Sequence, residues 1–407
     1  MRISLLRQRE PFGQILERTL AQYLESTTGV VHTLHWHEKQ QSRAGAENSI
    51  FLANEILNVI FHPSLPQTAF DPTRREFSRS TVAWRRPLQR TYVTCATRNP
   101  LAAWMAHARL EVTPRCHELE RQLVIPGNQK LRVLDHEART CTSLLKDGFR
   151  DDSMRAELAS REIAEQLQIL IPKTLDCDVE NGILREAYVS ATPLNRVPNA
   201  SLARNSREVA FGNIQRLTEA TSRQTPLTAY LDGLAEEIHS RINRYETDNP
   251  QTVELSRQLV RDLLNQIREL ATKHNIDDSL RVAVTHGDFQ PANIVVNDEG
   301  TWLIDWENSK ERQAGYDWLT MNTEARSALD RPKRLQEAIT DDNLRAPAWT
   351  GLAWNSHKEK NYHLAIFQLE ELATKLNEVS HPAIPHLADD YVQLADEVRE
   401  WQQQTAH

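Results

Sequence analysis

VTHGDFQPANIVVNDEGTWLIDWEN, residues 284–308, sets a polar cluster between short β-rich runs. His286, Asp288 and Asn293 fall around one turn, and an apolar run then rises to Asp305. Such residues serve ordinary turns, because Asn and Asp side chains hydrogen-bond nearby backbone. They also form a chemical set. A carboxylate on a tight loop can orient and deprotonate a hydroxyl. An Asn oxygen and a second carboxylate are hard ligands of the kind Mg²⁺ takes, usually one or two per protein, with substrate phosphates and water completing the shell. A base near a nucleophile, with metal on the phosphates, is the layout of phosphoryl transfer. Asn297-Asp298-Glu299-Gly300 reads as a plain hairpin turn.

Working outward, the flanking sequence changes texture. Residues 205–407 are mainly helical in pattern, with apolar positions three and four apart in PLTAYLDGLAEEIHSRINRYE, TVELSRQLVRDLLNQIRELATKH and WNSHKEKNYHLAIFQLEELATKL. Residues 118–190 are β-rich: RQLVI, KLRVLD and TCTSLLK read as strands, SMRAELASREIAEQLQIL as a helix, and PKTLDCD and ILREAYVS as two more strands joined at Glu180-Asn181-Gly182. Residues 1–117 carry no chemical motif. Their most apolar stretch, SIFLANEILNVIF, reads as a core helix, too short for the ~20 residues a membrane span needs. The expected division is 1–117 as a region of unknown role, 118–190 as a β-rich lobe and 191–407 as a helical lobe.

Bulk composition sets limits. With 407 residues, 40% hydrophobic and 26% charged, the chain can bury at least one full core. The net charge of -8 argues against a nucleic-acid partner, which needs a positive field. A local exception is the cluster Arg74, Arg75, Arg79, Arg85, Arg86 and Arg90, read as a solvated or ion-paired surface, or as a site for an anionic ligand or acidic partner. Four cysteines with no CxxC spacing suggest neither zinc nor a disulfide framework. The opening MRISLLRQREPFGQ lacks the apolar core of a secretory signal, so the expectation is a cytoplasmic protein without a membrane span.

HGDFQPANI followed by LIDWE resembles the signature of the aminoglycoside phosphotransferase and choline kinase family, small-molecule kinases with a protein-kinase-like fold. The resemblance implies an α+β, bilobal architecture with a small β-rich N-lobe and a mainly helical C-lobe, extended here by the N-terminal region. It implies Asp288 as catalytic base, Asn293 and Asp305 as Mg²⁺ ligands, and His286 as organiser of the loop. AGYDWLTM is similar to the family's element after the metal strand, which implies Asp317 as support for the catalytic loop. In the β-rich part, Lys146 and Glu162 resemble the family's strand lysine and helix glutamate, with Glu157 and Glu165 competing for the latter place. Gly127, Asn128 and Gln129 stand where a phosphate-covering loop is expected, without a multiple-glycine pattern. The backbone around Glu186 to Tyr188 stands where adenine is met.

The expected function is therefore transfer of the γ-phosphate of ATP, with Mg²⁺, to a hydroxyl of a small molecule such as an amino-alcohol, sugar or aminoglycoside-like compound. The alternative is a catalytically weak kinase-like binding module that engages a protein partner, or a second copy, through its N-terminal region.

Overall fold

The computed structural model describes residues 2–38, 47–78, 82, 84–149, 153–245, 249–273, 278–327, 330–384 and 386–405. The chain forms two compact units, Met1–Arg150 with Pro172–Ser190, and Asp151–Ile171 with Ala191–His407. A β-rich part and a mainly helical part are thus both present, and the fold is α+β as expected.

The first unit is built on a nine-stranded sheet. Its strands are β1 (Thr33–His37), β2 (Ser49–Asn54), β3 (Val59–Phe61), β4 (Ala108–Thr113), β5 (Gln122–Pro126), β6 (Lys130–Asp135), β7 (Thr140–Leu145), β8 (Thr174–Asp178) and β9 (Ile183–Ala187). Their order is β1-β4-β2-β3-β5-β6-β7-β9-β8. Neighbouring strands all run antiparallel. The helices of this unit are α1 (Ile3–Arg9), α2 (Phe12–Thr28), α3 (Asp71–Phe77), α4 (Arg85–Thr97), α5 (Leu101–Met105) and the short α6 (His117–Glu120).

The strands expected between 118 and 190 are found close to their expected limits, but the sheet does not begin there. β3 pairs with β5, so the first 117 residues continue the same sheet and the same unit. SIFLANEILNVIF is the β2–β3 hairpin and not a helix. Asn54 Oδ1 accepts from the Leu57 amide at 3.0 Å, and Asn58 turns the chain with φ +57°. Phe51, Ala53 and Ile60 enter one core with Phe12, Leu16 and Leu20, whereas Leu52, Val59 and Phe61 enter another with Phe70 and Val93. A strand covered on both faces is apolar throughout and loses the alternation that would distinguish it from a buried helix. Each such side chain, fully buried, contributes about 1.5–3 kcal/mol. In the arginine-rich stretch, Arg74 pairs with Asp71 and Arg85 lies 5.4 Å over the Trp84 ring, a surface accounting; Arg79 lies outside the described residues.

The second unit holds α7 (Ser153–Gln166), α8 (Ala200–Thr221), α9 (Leu227–Asn243), α10 (Pro250–Lys273), α11 (Tyr316–Asn322), α12 (Arg331–Thr340), α13 (His357–Val379) and α14 (Asp389–Thr405). Two three-stranded sheets lie among them. One contains β10 (Thr192–Pro193), β13 (Ile294–Asn297) and β14 (Gly300–Leu303); the other contains β11 (Arg223–Pro226), β12 (Ser279–Thr285) and β15 (Lys310–Gln313). The helix expected within the β-rich lobe, α7, belongs to this unit, where Ala164 joins a core with Ile294, Leu303 and Trp306. α13 is the central helix. It starts at a capping box of Ser356 and Glu359, and residues around its whole circumference are buried. No helix among the described residues is long and apolar enough to cross a membrane.

α13 also places a pH-sensitive group in the core. His363 Nε2 accepts from the Ala353 amide at 3.0 Å, and its Nδ1 has no hydrogen-bond partner among the described residues. Burial lowers its pKa to about 3. The unfolded imidazole titrates near 6.5, so between pH 6.5 and about 3 the unfolded chain binds more protons and stability falls as pH drops. His363→Gln keeps an acceptor for Ala353 and should flatten the acid decline of the urea midpoint across that window. An unchanged slope would remove His363 as its source. The difference from wild type separates this effect from Glu370, whose burial raises its pKa to about 7 and acts in the opposite sense.

Candidate active site

The loop from His286 to Asn293 connects β12 to β13, and its shape follows from a glycine and a buried acid. Gly287 has φ +83°, and a Cβ there would lie 2.0 Å from the Asn308 carbonyl oxygen, so only glycine fits. Asp317, in the first turn of α11, is fully buried and accepts from the amides of His286 (2.7 Å) and Gly287 (3.0 Å). Burial raises its pKa, opposed by His286 and by these two donors. His286 is also fully buried. Its Nε2 lies 3.0 Å from the Ile304 carbonyl and so donates, which leaves Nδ1 to accept from the Asp288 amide at 3.3 Å. Its ring packs 4.7 Å from that of Trp306. One imidazole thus ties the 286–288 turn to the segment just before Asp305.

Asp288 projects from this turn with its side chain 17% exposed. Its carboxylate accepts from Gln290 Nε2 at 3.0 and 2.9 Å, from Asn293 Nδ2 at 2.6 Å, and from Arg326 Nε at 2.8 Å. Asn293 Nδ2 also donates to the Asp288 carbonyl at 2.9 Å. With its amide nitrogen so engaged, the atom Asn293 can offer a cation is Oδ1. β14 ends at Leu303, two residues before Asp305, so Asp305 stands beyond the strand and not on it. It takes φ +68°, a left-handed conformation that costs a non-glycine residue energy and recurs at functional sites.

Two residues that local reading did not single out hold this centre. Arg326 bridges Asp288 to α13: besides Asp288 it binds the Gly287 carbonyl (3.0 Å) and Tyr316 Oη (3.1 Å) through Nη2, and Glu371 through Nη1. Burial opposes its charge, but Glu371, Tyr316 and Asp288 more than offset that and hold its pKa well above the ordinary value. Burial likewise works against the Glu371 carboxylate, and Arg326 and Arg331 hold it below its usual pKa. Arg331 Nη2 lies 3.5 Å from Glu371, which also accepts from Tyr316 Oη. Nothing near Arg326 in sequence marks it, and Glu371 is one of several glutamates on its helix.

A cavity of about 330 Å³ opens beside Asp288. Its charged lining sets Asp288, Glu371, Glu378, Asp390 and Glu397 against Arg326, Arg331 and Lys375. Lys375 bridges Glu378 (2.9 Å) and Asp390 (2.8 Å). Among the described residues no group of three or more His, Cys, Asp or Glu could hold a metal ion. The expected set of Asn293 and Asp305 is smaller than that and suits a cation that keeps water and substrate oxygens.

The remaining expected residues lie in the first unit, apart from Glu162. Lys146, just after β7, is fully buried and forms an ion pair with Glu10, which is also fully buried. Glu162, on α7, is exposed. On the same helix Glu157 is buried, 3.9 Å from Arg161. Gly127 and Asn128 form the β5–β6 turn, closed by the Gly127 amide on the Lys130 carbonyl at 2.9 Å. Asn128 Oδ1 is buried with no hydrogen-bond partner among the described residues. In the next residue, the Gln129 carbonyl accepts from the Lys146 amide at 2.8 Å. Glu186 lies on β9 opposite Cys141, and the Tyr188 amide donates to the Arg139 carbonyl at 2.8 Å.

Residues 127–354 match the model of the phosphotransferase enzyme family. The chain belongs to that family. The matched segment contains Lys146, the 286–293 loop, Asp305, Asp317 and Arg326, while Glu10 and Glu371 lie outside it. No curated protein matches the chain. Solved structures similar to this phosphotransferase include the choline kinase LicA from Streptococcus pneumoniae, 17% identical over 69% of this chain and 94% of that one, with a TM-score of 0.43. A choline/ethanolamine kinase family protein from Mesorhizobium loti is 15% identical over 79% and 95%, with a TM-score of 0.41. The aminoglycoside phosphotransferase APH(3'')-Id from Streptomyces rimosus is 15% identical over 69% and 92%, with a TM-score of 0.34.

Proposed function

We propose that this phosphotransferase is an ATP- and Mg²⁺-dependent kinase that phosphorylates a hydroxyl group of a small molecule. The observation that carries this reading is Asp288: a carboxylate aimed by three side-chain donors, on a loop made rigid by Asp317 and His286, at the edge of a cavity of ligand size. In this reading Asp288 accepts or orients the proton of the acceptor hydroxyl. Gln290, Asn293 and Arg326 hold its oxygens, so the carboxylate does not reorient as charge develops. Asn293 Oδ1 and the Asp305 carboxylate would hold Mg²⁺, which neutralises charge on the phosphates when bound. Lys146 contacts the nucleotide phosphates, Gly127 and Asn128 cover them, and the backbone from Glu186 to Tyr188 meets the base.

The cavity beside Asp288 receives the acceptor. Five carboxylates against three cations make its lining negative, which favours an acceptor bearing positive charge, such as an amino-alcohol or an amino sugar.

Millimolar Mg²⁺-ATP should raise the melting temperature of the protein, and Asp305→Ala should abolish that rise. Absence of a rise in the wild-type protein would sink the kinase reading; an undiminished rise in the variant would remove Asp305 from the metal site. The acceptor is then found by incubating the protein with labelled ATP and a metabolite extract and identifying the labelled product.

A further inference from the structure

Lys146 has an unexpected partner. Its carboxylate comes from Glu10, 136 residues earlier, in the connection between α1 and α2 and outside the segment that matches the family. Both side chains are completely buried. The connection is held on both sides: the Glu10 amide donates to the Leu6 carbonyl at 2.9 Å, and the Phe12 amide to the Glu10 carbonyl at 2.7 Å. α2 then lies on the sheet next to the lysine strand. Phe12, Leu16 and Leu20 share a core with Leu131, Val133 and Leu144, and Thr19 Oγ1 accepts from the Asp147 amide at 3.0 Å. By contrast, α7, which carries Glu157, Glu162 and Glu165, packs its apolar side into the core of the second unit. The first unit thus covers its lysine strand with N-terminal helices, and those helices bring the acid with them.

Resting on the kinase reading above, we infer that Glu10 is the positioning residue for Lys146: the N-terminal extension supplies the carboxylate that keeps the phosphate-contacting lysine oriented and charged. The electrostatics agree. Burial lowers the pKa of Lys146 to about 8, Glu10 works to raise it, and Arg9 works to lower it further. Arg9 Nη2 lies 4.0 Å from Glu10 Oε2, and all three guanidinium nitrogens of Arg9 are buried with no hydrogen-bond partner among the described residues. The other charges around the strand end are Lys130 on β6, opposite Leu145, and Asp147 with Arg18 at 3.5 Å; Arg185 and Glu186 on β9 pair with Thr142 and Cys141, farther back along the strand. Among the described residues, Glu10 is the carboxylate that raises the lysine's pKa. An ammonium buried without a counter-charge gives up its proton, and a neutral amine has no electrostatic hold on phosphate.

The test is calorimetric titration with Mg²⁺-ADP, which reads binding without turnover, across a pH series on the full chain. Wild-type affinity should decline with rising pH around a midpoint near 8. In Glu10→Gln the midpoint should move down by about one unit or more, which at a pH above both midpoints is roughly tenfold in affinity. In Arg9→Gln, which removes the opposing charge, it should move up. This variant keeps the inference testable if Glu10→Gln fails to fold, as judged by its melting curve. Lys146→Met should bind weakly and without this pH dependence. Unaltered affinity and midpoint in Glu10→Gln, or in Arg9→Gln where Glu10→Gln does not fold, would overturn the inference, as would wild-type affinity in Lys146→Met, which would make the pair a structural staple alone. Failure of wild-type protein to bind Mg²⁺-ADP at any pH would instead strike the kinase reading itself.

Discussion

Asp288→Ala should reduce phosphoryl transfer by about 10²–10⁴-fold, the range associated with losing a positioned general base, while Mg²⁺-nucleotide binding persists. The separation follows from geometry. Asp288 is not needed to hold the loop, because the backbone there is fixed by Asp317 on two amides and by His286 on Ile304. Nor does truncation strand a charge: Arg326 keeps Glu371, Tyr316 and the Gly287 carbonyl. Gln290 and Asn293 lose an acceptor at a partly exposed position where water can replace it. The melting temperature of the variant, and its shift with Mg²⁺-ATP, should therefore stay close to wild type. Single-turnover transfer from labelled ATP is the measurement. Wild-type transfer in Asp288→Ala would refute the assignment of the base, and loss of the nucleotide-dependent shift would show that Asp288 belongs to the metal site instead.

Glu371→Ala should cost stability on a scale that few other single changes in the second unit reach. The carboxylate is 2% exposed, pairs with Arg326 and Arg331, and accepts from Tyr316. Arg331 is 4% exposed, and none of its guanidinium nitrogens has a hydrogen-bond partner among the described residues. Removing the acid leaves two guanidiniums without their shared counter-charge. Breaking a buried pair in this way typically costs about 3–5 kcal/mol, because the surviving charge stays desolvated. Urea unfolding should show that loss, and Glu371→Gln, which keeps an acceptor and the volume, should lose less. A variant within about 1 kcal/mol of wild type would mean that the arginines relax to solvent, since surface pairs contribute on that smaller scale. Activity should fall as well, because Arg326 is fastened to Asp288 at one end and to Glu371 at the other.

Much of the centre was legible in sequence because its parts are close in the chain. The turn 286–288, Asn293 five residues after Asp288, and Asp305 after the hairpin are joined by one β13–β14 connection. Asp317 follows within the same stretch and accepts from the His286 and Gly287 amides. The strands from 122 to 187 were readable for a related reason: turn residues at Gly127 and Gly182 punctuate them.

The misreadings are long-range. SIFLANEILNVIF has no alternation to betray a hairpin, because the structure covers both faces of the sheet. Glu10, the acid that meets Lys146, lies 136 residues before it, in a stretch that local reading does not single out. Arg326 and Glu371 are unremarkable in their own surroundings and meet only when α13 packs beside the 286–293 loop.

By itself, then, the sequence determined the 286–293 loop, the turn chemistry and the alternation of β-rich and helical segments, since these depend on residues within a few positions of one another. Tertiary structure decided which buried charges are paired: Glu10 with Lys146, and Glu371 with Arg326 and Arg331. The physical reason is desolvation. A charge taken out of water must find its counter-charge wherever the packed chain brings one, and neither composition nor spacing records that meeting.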